Sequence, residues 1–580
     1  MKNNFFINKK PLIYSLFLIA VFICSLILSS SFSLNFAISL TEKIIHRTLR
    51  DHTKWINILK GVVHIPLLVS ILLFIIQYTI AGNNIAKKNI ELWEKFLSEI
   101  NQKKYLYFFI IITTFFLFAF YKILDADILY ADDISRSHDG DRNWISFGRY
   151  VSEFLSILIH CTIQLTDIAP LTQFIAILFM SCTIIILLYI LSDNGSINFI
   201  YAIPLCYTFL SPYFQQCFCY RFDSPYMTLA VLLPVIPFIF KDDLKSYSFM
   251  SFVMLILCCM SYQAGQSIYI MLVIFLSFHK LINGDDFKTI FYFIIYSILS
   301  YAAALIIYEL LFAANTNRTD TDYYYSTKLS VSSLITNLKL YFTDLSHSAG
   351  GLLTRTCLYI SVIISLIGTT LKSKINKFVT ATAYIFILIF ALSLSIGPYI
   401  LFEQPLLSGR VYLGFNVLTA LILFSAFKTS FELFINQKIK FLVLIPVILC
   451  IYSTVSFLYT FGNCLKEQKE YNNFRYTLLL NDLSTLVDSE KNIYISFGGS
   501  IGYCNAFELA EKKYSLDTIP LSPNEHSIWN IDYCYRFNFM FKDEFFDHKP
   551  DWPLLESNYY HNIYGQDNHF YIELKNHKSL

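Results

Sequence analysis

The sequence predicts an all-α polytopic membrane protein followed by a small soluble C-terminal domain of α/β or mixed character. Three observations carry this. Hydrophobic residues make up 55% of the 580 and charged ones only 15%, a balance that belongs to membrane-embedded chains. Apolar windows recur roughly thirteen times, many near the ~20 residues of a helical crossing. After Gly462 the hydrophobic pattern stops.

The windows fall at residues 11–38, 61–81, 105–124, 168–192, 197–212, 225–240, 247–261, 264–278, 289–312, 352–371, 378–402, 411–427 and 441–462. Those around Met227, Met254, Ile270 and Val362 are shorter than the ~20 residues of a straight span. The first follows a lysine-bearing start and is long enough to read as an anchor rather than a cleaved signal.

Lysine distribution sets the orientation, because cytoplasmic loops retain positive charge. With the N-terminus cytoplasmic, Lys9 and Lys10, Lys87 and Lys88, Lys103 and Lys104, Lys241 and Lys245, Lys372 to Lys377, and Lys438 and Lys440 share the cytoplasmic side. Lys43, Arg47, Arg50, Lys54 and Lys60 run against the pattern and read as an amphipathic helix on the outer surface. An odd number of crossings then brings the loops around Asp132, Arg221, Tyr262, Arg318 and Arg410 to the outer face, together with residues 463–580. In that tail NIYISFGG reads as a strand, Asn505 to Lys513 as a helix, and the last sixty or so residues as aromatic-rich loop with few period signals.

A net charge of +2 with no basic patch points away from nucleic acid. Cysteines such as Cys24, Cys182, Cys258 and Cys450 sit in apolar runs as small core hydrophobes, and only Cys504 and Cys534, in the outer tail, are candidates for pairing. No metal-ligand spacing or nucleotide-binding loop is present, so neither a metal nor a cofactor is expected.

The chemistry-bearing feature is the acidic loop 125–150, with Asp125, Asp127, Asp132, Asp133, Asp139 and Asp141 directly beyond an apolar run. Carboxylates at a membrane surface are costly and mark functional sites, although a solvated acidic face is the plainer alternative. Asp132 and Asp133 are neighbours and diverge by ~100° on a helix, so they do not share a proton; one acts on substrate while the other orients a neighbour. Arg136 is within helical reach of both.

An outward-facing site has no nucleotide supply, so a transferase there takes its group from a lipid carrier through a phosphate. The charge growing on that phosphate calls for guanidinium donors, and Arg149, Arg221 and Arg410 each sit beside an apolar segment. Snorkelling or local pairing is the plainer role for each, with Asp223 a ready partner for Arg221. Tyr262, Gln263 and Gln266 in SYQAGQS can hydrogen-bond a sugar, as can TNRTDTDYYYSTK from Thr316 to Lys328, which reads equally as an interfacial tyrosine belt. GGSIGYC, from Gly498 to Cys504, lacks the lysine of a phosphate loop and reads as a turn into a helix.

LYADDISRSHDGDRNWISFGRYVSEFL resembles the signature region of the GtrII-type glucosyltransferases, membrane enzymes that add glucose branches to bacterial O-antigen. The positions that carry the likeness are Tyr130, Asp132, Asp133, Arg136, Trp144, Gly148 and Arg149, with Tyr262 to Ala264 and Arg410 further on. Ser135 stands where a glycine is expected, and two additional crossings precede the loop. The resemblance implies a GT-C-like helical bundle in the bacterial inner membrane, a polyprenyl-phosphate sugar donor, a lipid-linked glycan acceptor, and functional association with a donor synthase and a flippase. It also implies an inverting single displacement in which Asp132 or Asp133 is the base and Arg410, with Arg149 or Arg221, stabilises the departing phosphate. Asp133 is the choice for base, because Asp132 is free to anchor Arg136. An O-antigen polymerase and a lipid-linked sugar transporter are the rival classes. Few arginines in the long loop after Phe312 argue against the first, and the lack of mid-membrane charges argues against the second.

Overall fold

The computed structural model describes residues 85–576 apart from 101–102, 193–197, 314–330, 348–349, 403–404, 434–436, 515–529, 531–532 and 544–550. The two expected N-terminal crossings, the basic stretch between them, the Thr316–Lys328 segment, His526 and His548 lie outside the described residues.

Nine helices among the described residues are long and apolar enough to cross a membrane: Lys103–Ala126, Leu171–Leu191, Leu244–Ser261, Gln263–Ile282, Phe287–Ala313, Leu352–Lys372, Lys377–Leu394, Leu413–Leu433 and Lys440–Leu486. The expected thirteen are not reached among them. The windows at 197–212 and 225–240 form shorter apolar helices, Phe199–Leu210 and Ser224–Phe240. Proline is the physical reason: Pro204 sits in the first, and Pro234 and Pro237 tighten Leu233–Phe240 into a 3-10 helix. A proline has no N–H to give the ladder, and its ring crowds the preceding turn.

Turns at the helix ends are locally encoded. Asp243 accepts the N–H of Ser246, and Asn376 accepts those of Phe378 and Val379, so both helices start on a side-chain cap. Gly265 lets the turn after Leu244–Ser261 press on a neighbour, since a Cβ there would stand 2.1 Å from the Ala230 carbonyl oxygen.

The last bundle helix, Gln437–Leu486, runs unbroken for 50 residues, about 75 Å, straight through residue 462. Its far half carries a five-stranded sheet of order β2-β1-β5-β4-β3: β1 is Tyr494–Gly499, β2 Lys542–Asp543, β3 Leu554–Ser557, β4 His561–Gln566 and β5 His569–Leu574. β1 pairs in parallel with β2 and β5, while β3, β4 and β5 are antiparallel. The strand at NIYISFGG and the helix at Asn505–Tyr514 follow the sequence. The aromatic-rich tail does not: its described residues include four strands, β2 to β5. Its turn is Asp567–Asn568, both at positive φ, the pattern of a two-residue hairpin loop. Alternation then buries Ile563, Phe570, Ile572 and Leu574.

One apolar cluster joins that sheet to the acidic loop. Ile495, Ile563 and Ile572 share it with Tyr476 and Leu483 of the long helix, and with Leu129, Ile134 and Trp144 of the loop. Cys504 and Cys534 do not pair; Cys534 is buried in this core, and the Cys504 thiol points to the Cys464 carbonyl.

Candidate active site

The acidic loop is pinned by ion pairs, although Asp127, Asp132 and Asp139 remain exposed. Asp125 pairs with Lys122 and Lys466, and Asp127 with Arg221 and Lys469, so the long helix holds the start of the loop through two lysines. Asp139 meets His138 at 2.8 Å.

Asp133 is the buried aspartate, at 0% exposure. Its carboxylate accepts three backbone N–H groups: Arg221 at 2.8 Å, Tyr130 at 3.2 Å and Phe222 at 3.3 Å. The loop is thereby pinned to the 220–222 turn. Burial first, and the nearby Asp223 charge second, push the Asp133 carboxyl up to about 8 against the pull of those amides.

Arg136 and Asp223 form a buried ion pair. The indole N–H of Trp144 donates to the same carboxylate at 2.5 Å, and the Arg136 guanidinium lies 4.3 Å over the Trp144 ring. Beside them Arg142 pairs with Glu153 at 2.8 Å, and Glu153 also accepts the Trp144 backbone N–H. Burial raises the Glu153 carboxyl against the pull of Arg142.

The expected partners are therefore exchanged. Arg136 is held by Asp223 and not by either member of the aspartate pair. Arg221 goes to Asp127 at 2.6 Å and Asp167 at 3.1 Å, not to Asp223. Sequence proximity favoured Arg221–Asp223, but the turn that offers its amides to Asp133 points the two side chains apart. Arg221 is buried and saturated on one terminal nitrogen, so it braces the loop.

Asp132 is exposed and stands at the N-cap of the short helix Asp133–Asp139 without making a side-chain cap bond. Among the described residues its carboxylate has no hydrogen-bond or ion-pair partner, yet it lies near enough to Arg410, Arg136 and Tyr220 to act on each electrostatically. Arg410 donates to the Tyr220 hydroxyl at 2.8 Å, and its backbone N–H to Gln216 at 3.0 Å. Its Nε is buried with no partner among the described residues, as is that of Arg221.

Arg149 packs against Tyr262. Its guanidinium lies 4.7 Å over the Tyr262 ring and donates to Gln263 at 3.0 Å. The Gln263 amide in turn donates to the Phe147 carbonyl at 2.6 Å and the Tyr308 hydroxyl at 2.8 Å, so Gln263 is fully engaged in holding Arg149. Gly148, at φ +71, turns the chain into Arg149, and a Cβ on it would stand 2.6 Å from the Tyr308 hydroxyl.

Of the eight site residues expected from sequence, five converge: Asp132, Arg149, Tyr262, Gln263 and Arg410. Asp133, Arg136 and Arg221 form the layer that supports them. Tyr220, Tyr308 and Glu153 were not foreseen; with 41 tyrosines in the chain, no local signal singles out the first two. Among the described residues no group of three or more His, Cys, Asp or Glu side chains could hold a metal ion. The chemistry on offer is an exposed carboxylate near the Arg410 guanidinium, with Arg149 held against Tyr262 and Gln263.

The family profile described as Glucosyl transferase GtrII matches residues 121–421, a span that contains every residue of this site. Comparison with curated proteins and with solved structures gives no match. With more than half of its length in that match, and nine helices able to cross a membrane among its described residues, the chain belongs to the GtrII glucosyltransferase family.

Proposed function

We propose that this membrane glycosyltransferase moves glucose from a polyprenyl-phosphate donor to lipid-linked O-antigen or a related surface glycan. Transfer takes place on the periplasmic face of a bacterial inner membrane, with the N-terminus cytoplasmic and the C-terminal domain periplasmic. The lysine-rich loops at the other end of the bundle support that orientation.

The observation that carries the mechanism is the contrast between the neighbours Asp132 and Asp133. A general base needs a lone pair within reach of the attacking hydroxyl. Asp132 has one, whereas both Asp133 oxygens are taken by backbone amides in a site closed to solvent. Asp132 is therefore the base, and Asp133 is a positioning residue. The acceptor hydroxyl loses its proton to Asp132 and its oxygen attacks the anomeric carbon from the face opposite the phosphate. The bond from that carbon to the phosphate oxygen breaks, with the electron pair leaving on the phosphate, so the configuration inverts. Arg410 and Arg149 stabilise the charge that develops there. Tyr262 and Gln263 fix Arg149, and Tyr220 holds Arg410.

The test is mass spectrometry of polysaccharide from a host with defined O-antigen and lipid-linked glucose, with wild type or Asp132→Asn. A hexose increment per repeat with wild type alone is the expected result. Altered chain length at unchanged repeat mass would instead support polymerisation.

A further inference from the structure

The helix Val331–His347 is not among the nine that can cross a membrane, and it is tied to the end of the bundle that carries Arg410. The Asn337 amide donates to the carbonyls of Ile400 at 2.9 Å and Phe402 at 2.8 Å, and the Tyr341 hydroxyl meets that of Ser395 at 2.7 Å. The Leu345 carbonyl accepts the Tyr213 hydroxyl at 3.4 Å. Ser395 and Ile400 lie just beyond the end of Lys377–Leu394 that is remote from its lysine. After the helix, Gly350 and Gly351, at φ +71 and +94, turn the chain into the membrane helix Leu352–Lys372, whose Arg355 donates back to the Ser346 carbonyl at 2.8 Å.

At about 100° per residue, Asn337, Tyr341 and Leu345 fall on one stripe, and Val331, Ile335 and Phe342 on another roughly 100° round from it. That second stripe is apolar and open, at 76%, 60% and 38% exposure. About 90° further round, Ser332, Thr336, Lys339 and Thr343 form an exposed polar stripe, with Leu340 at its far edge. A helix packed on a bundle in water needs a buried face and a polar one; a third face, apolar and open, needs an apolar cover. The elements bonded to this helix already expose lipid-facing residues. Leu401 is open beside Ile400, Phe386 and Phe390 are open on Lys377–Leu394, and Leu352 and Tyr359 are open on Leu352–Lys372. The apolar stripe is thus continuous with surface that lipid covers.

We propose that Val331–His347 is an interfacial helix seated in the headgroup layer of the bilayer, with Val331, Ile335 and Phe342 in the acyl boundary and Lys339 in water. The same helix grips the turn that carries Arg410. The Tyr412 hydroxyl donates to the Asp344 carboxylate, and the Tyr412 ring packs against Tyr341 at 5.2 Å, two residues after Arg410. The lipid surface thereby sets the level at which Arg410 stands to meet a lipid-linked phosphate, a link that rests on the proposed transfer.

Nitroxide labels test the seat. Ile335→Cys, Thr336→Cys, Phe342→Cys and Thr343→Cys are made singly in full-length protein whose exposed Cys161 carries Cys161→Ser, and each is reconstituted in phospholipid nanodiscs. Oxygen, which concentrates among acyl chains, should relax the labels at 335 and 342 more than a water-soluble nickel chelate does, and the order should reverse at 336 and 343. Four labels relaxed mainly by the chelate would overturn the seat. Shielding of 335 and 342 from both reagents would overturn it too, in favour of a protein partner. The pattern needs no turnover, so it decides the seat even where the proposed transfer fails. For the link to Arg410, Ile335→Asp with Phe342→Asp should lower transfer in nanodiscs at least about tenfold in protein that remains folded, and wild-type transfer by that variant overturns the link.

Discussion

The carboxylate of Asp133 accepts the backbone N–H of Arg221 at 2.8 Å, and that contact decides what its neighbour can do. With Asp133 turned into the protein, Asp132 is directed outward to the side where Arg410 lies. Adjacent residues on a helix start diverge, so one acid can lock the loop while the other faces substrate.

The two aspartates should separate experimentally. Asp132→Asn is expected to lower transfer by at least about 100-fold with thermal stability of the purified protein unchanged. Asp133→Ala leaves three buried amides without an acceptor and is expected to lower stability by several kcal/mol, at about 1–3 kcal/mol for each orphaned group. Thermal melts alongside glycan mass spectrometry check both.

Asp133 also gives stability a pH dependence of defined sign. Its folded-state carboxyl is raised to about 8, above the unfolded value, so its neutral form stabilises the fold. That contribution is complete below the unfolded value near ~4 and is lost as pH rises through about 8. Melting temperatures of wild type should therefore fall between pH 6 and pH 9 more than those of Asp133→Asn, which cannot ionise.

Arg136 and Asp223 are a buried pair, so removal of one partner strands the other. Arg136→Met should cost about 3–5 kcal/mol, and the double variant with Asp223→Leu should recover part of that loss. A double-mutant cycle read from denaturation midpoints measures the coupling.

Gln263 acts on substrate only through Arg149. Gln263→Leu should lower transfer about 10- to 100-fold by misplacing the guanidinium, with little loss of stability. Arg410→Lys should be nearly as damaging as Arg410→Ala, because a point charge does not reproduce the planar fork that meets Tyr220 and the leaving phosphate. The apparent affinity for donor, measured against acceptor, checks whether these arginines serve the phosphate.

Apolar windows were legible because burial in lipid leaves a long compositional signature, and 103–126, 171–191 and 413–433 follow it within a few residues. Proline-broken windows at 199–210 and 224–240 also showed their apolar content, and the one around Met227 showed that it is too short for a straight span. The site was legible as a set of residue types and not as a set of pairs. Asp133 cannot be told from Asp132 by sequence, because two of its three partners are backbone amides 88 and 89 residues away. Arg136 finds Asp223 across 87 residues for the same reason. The strands after β1 were missed because their aromatic residues obscure the alternation, although the Asp567–Asn568 turn was available to be read.

The most direct test compares transfer by purified Asp132→Asn and Asp133→Asn with a synthetic polyprenyl-phosphate glucose and lipid-linked acceptor, with folded protein quantified in each. Asp132→Asn should be folded and inactive, while Asp133→Asn should lose activity in step with its loss of folded protein. Wild-type transfer by Asp132→Asn, or a fully folded and inactive Asp133→Asn, would contradict the assignment of Asp132 as the base.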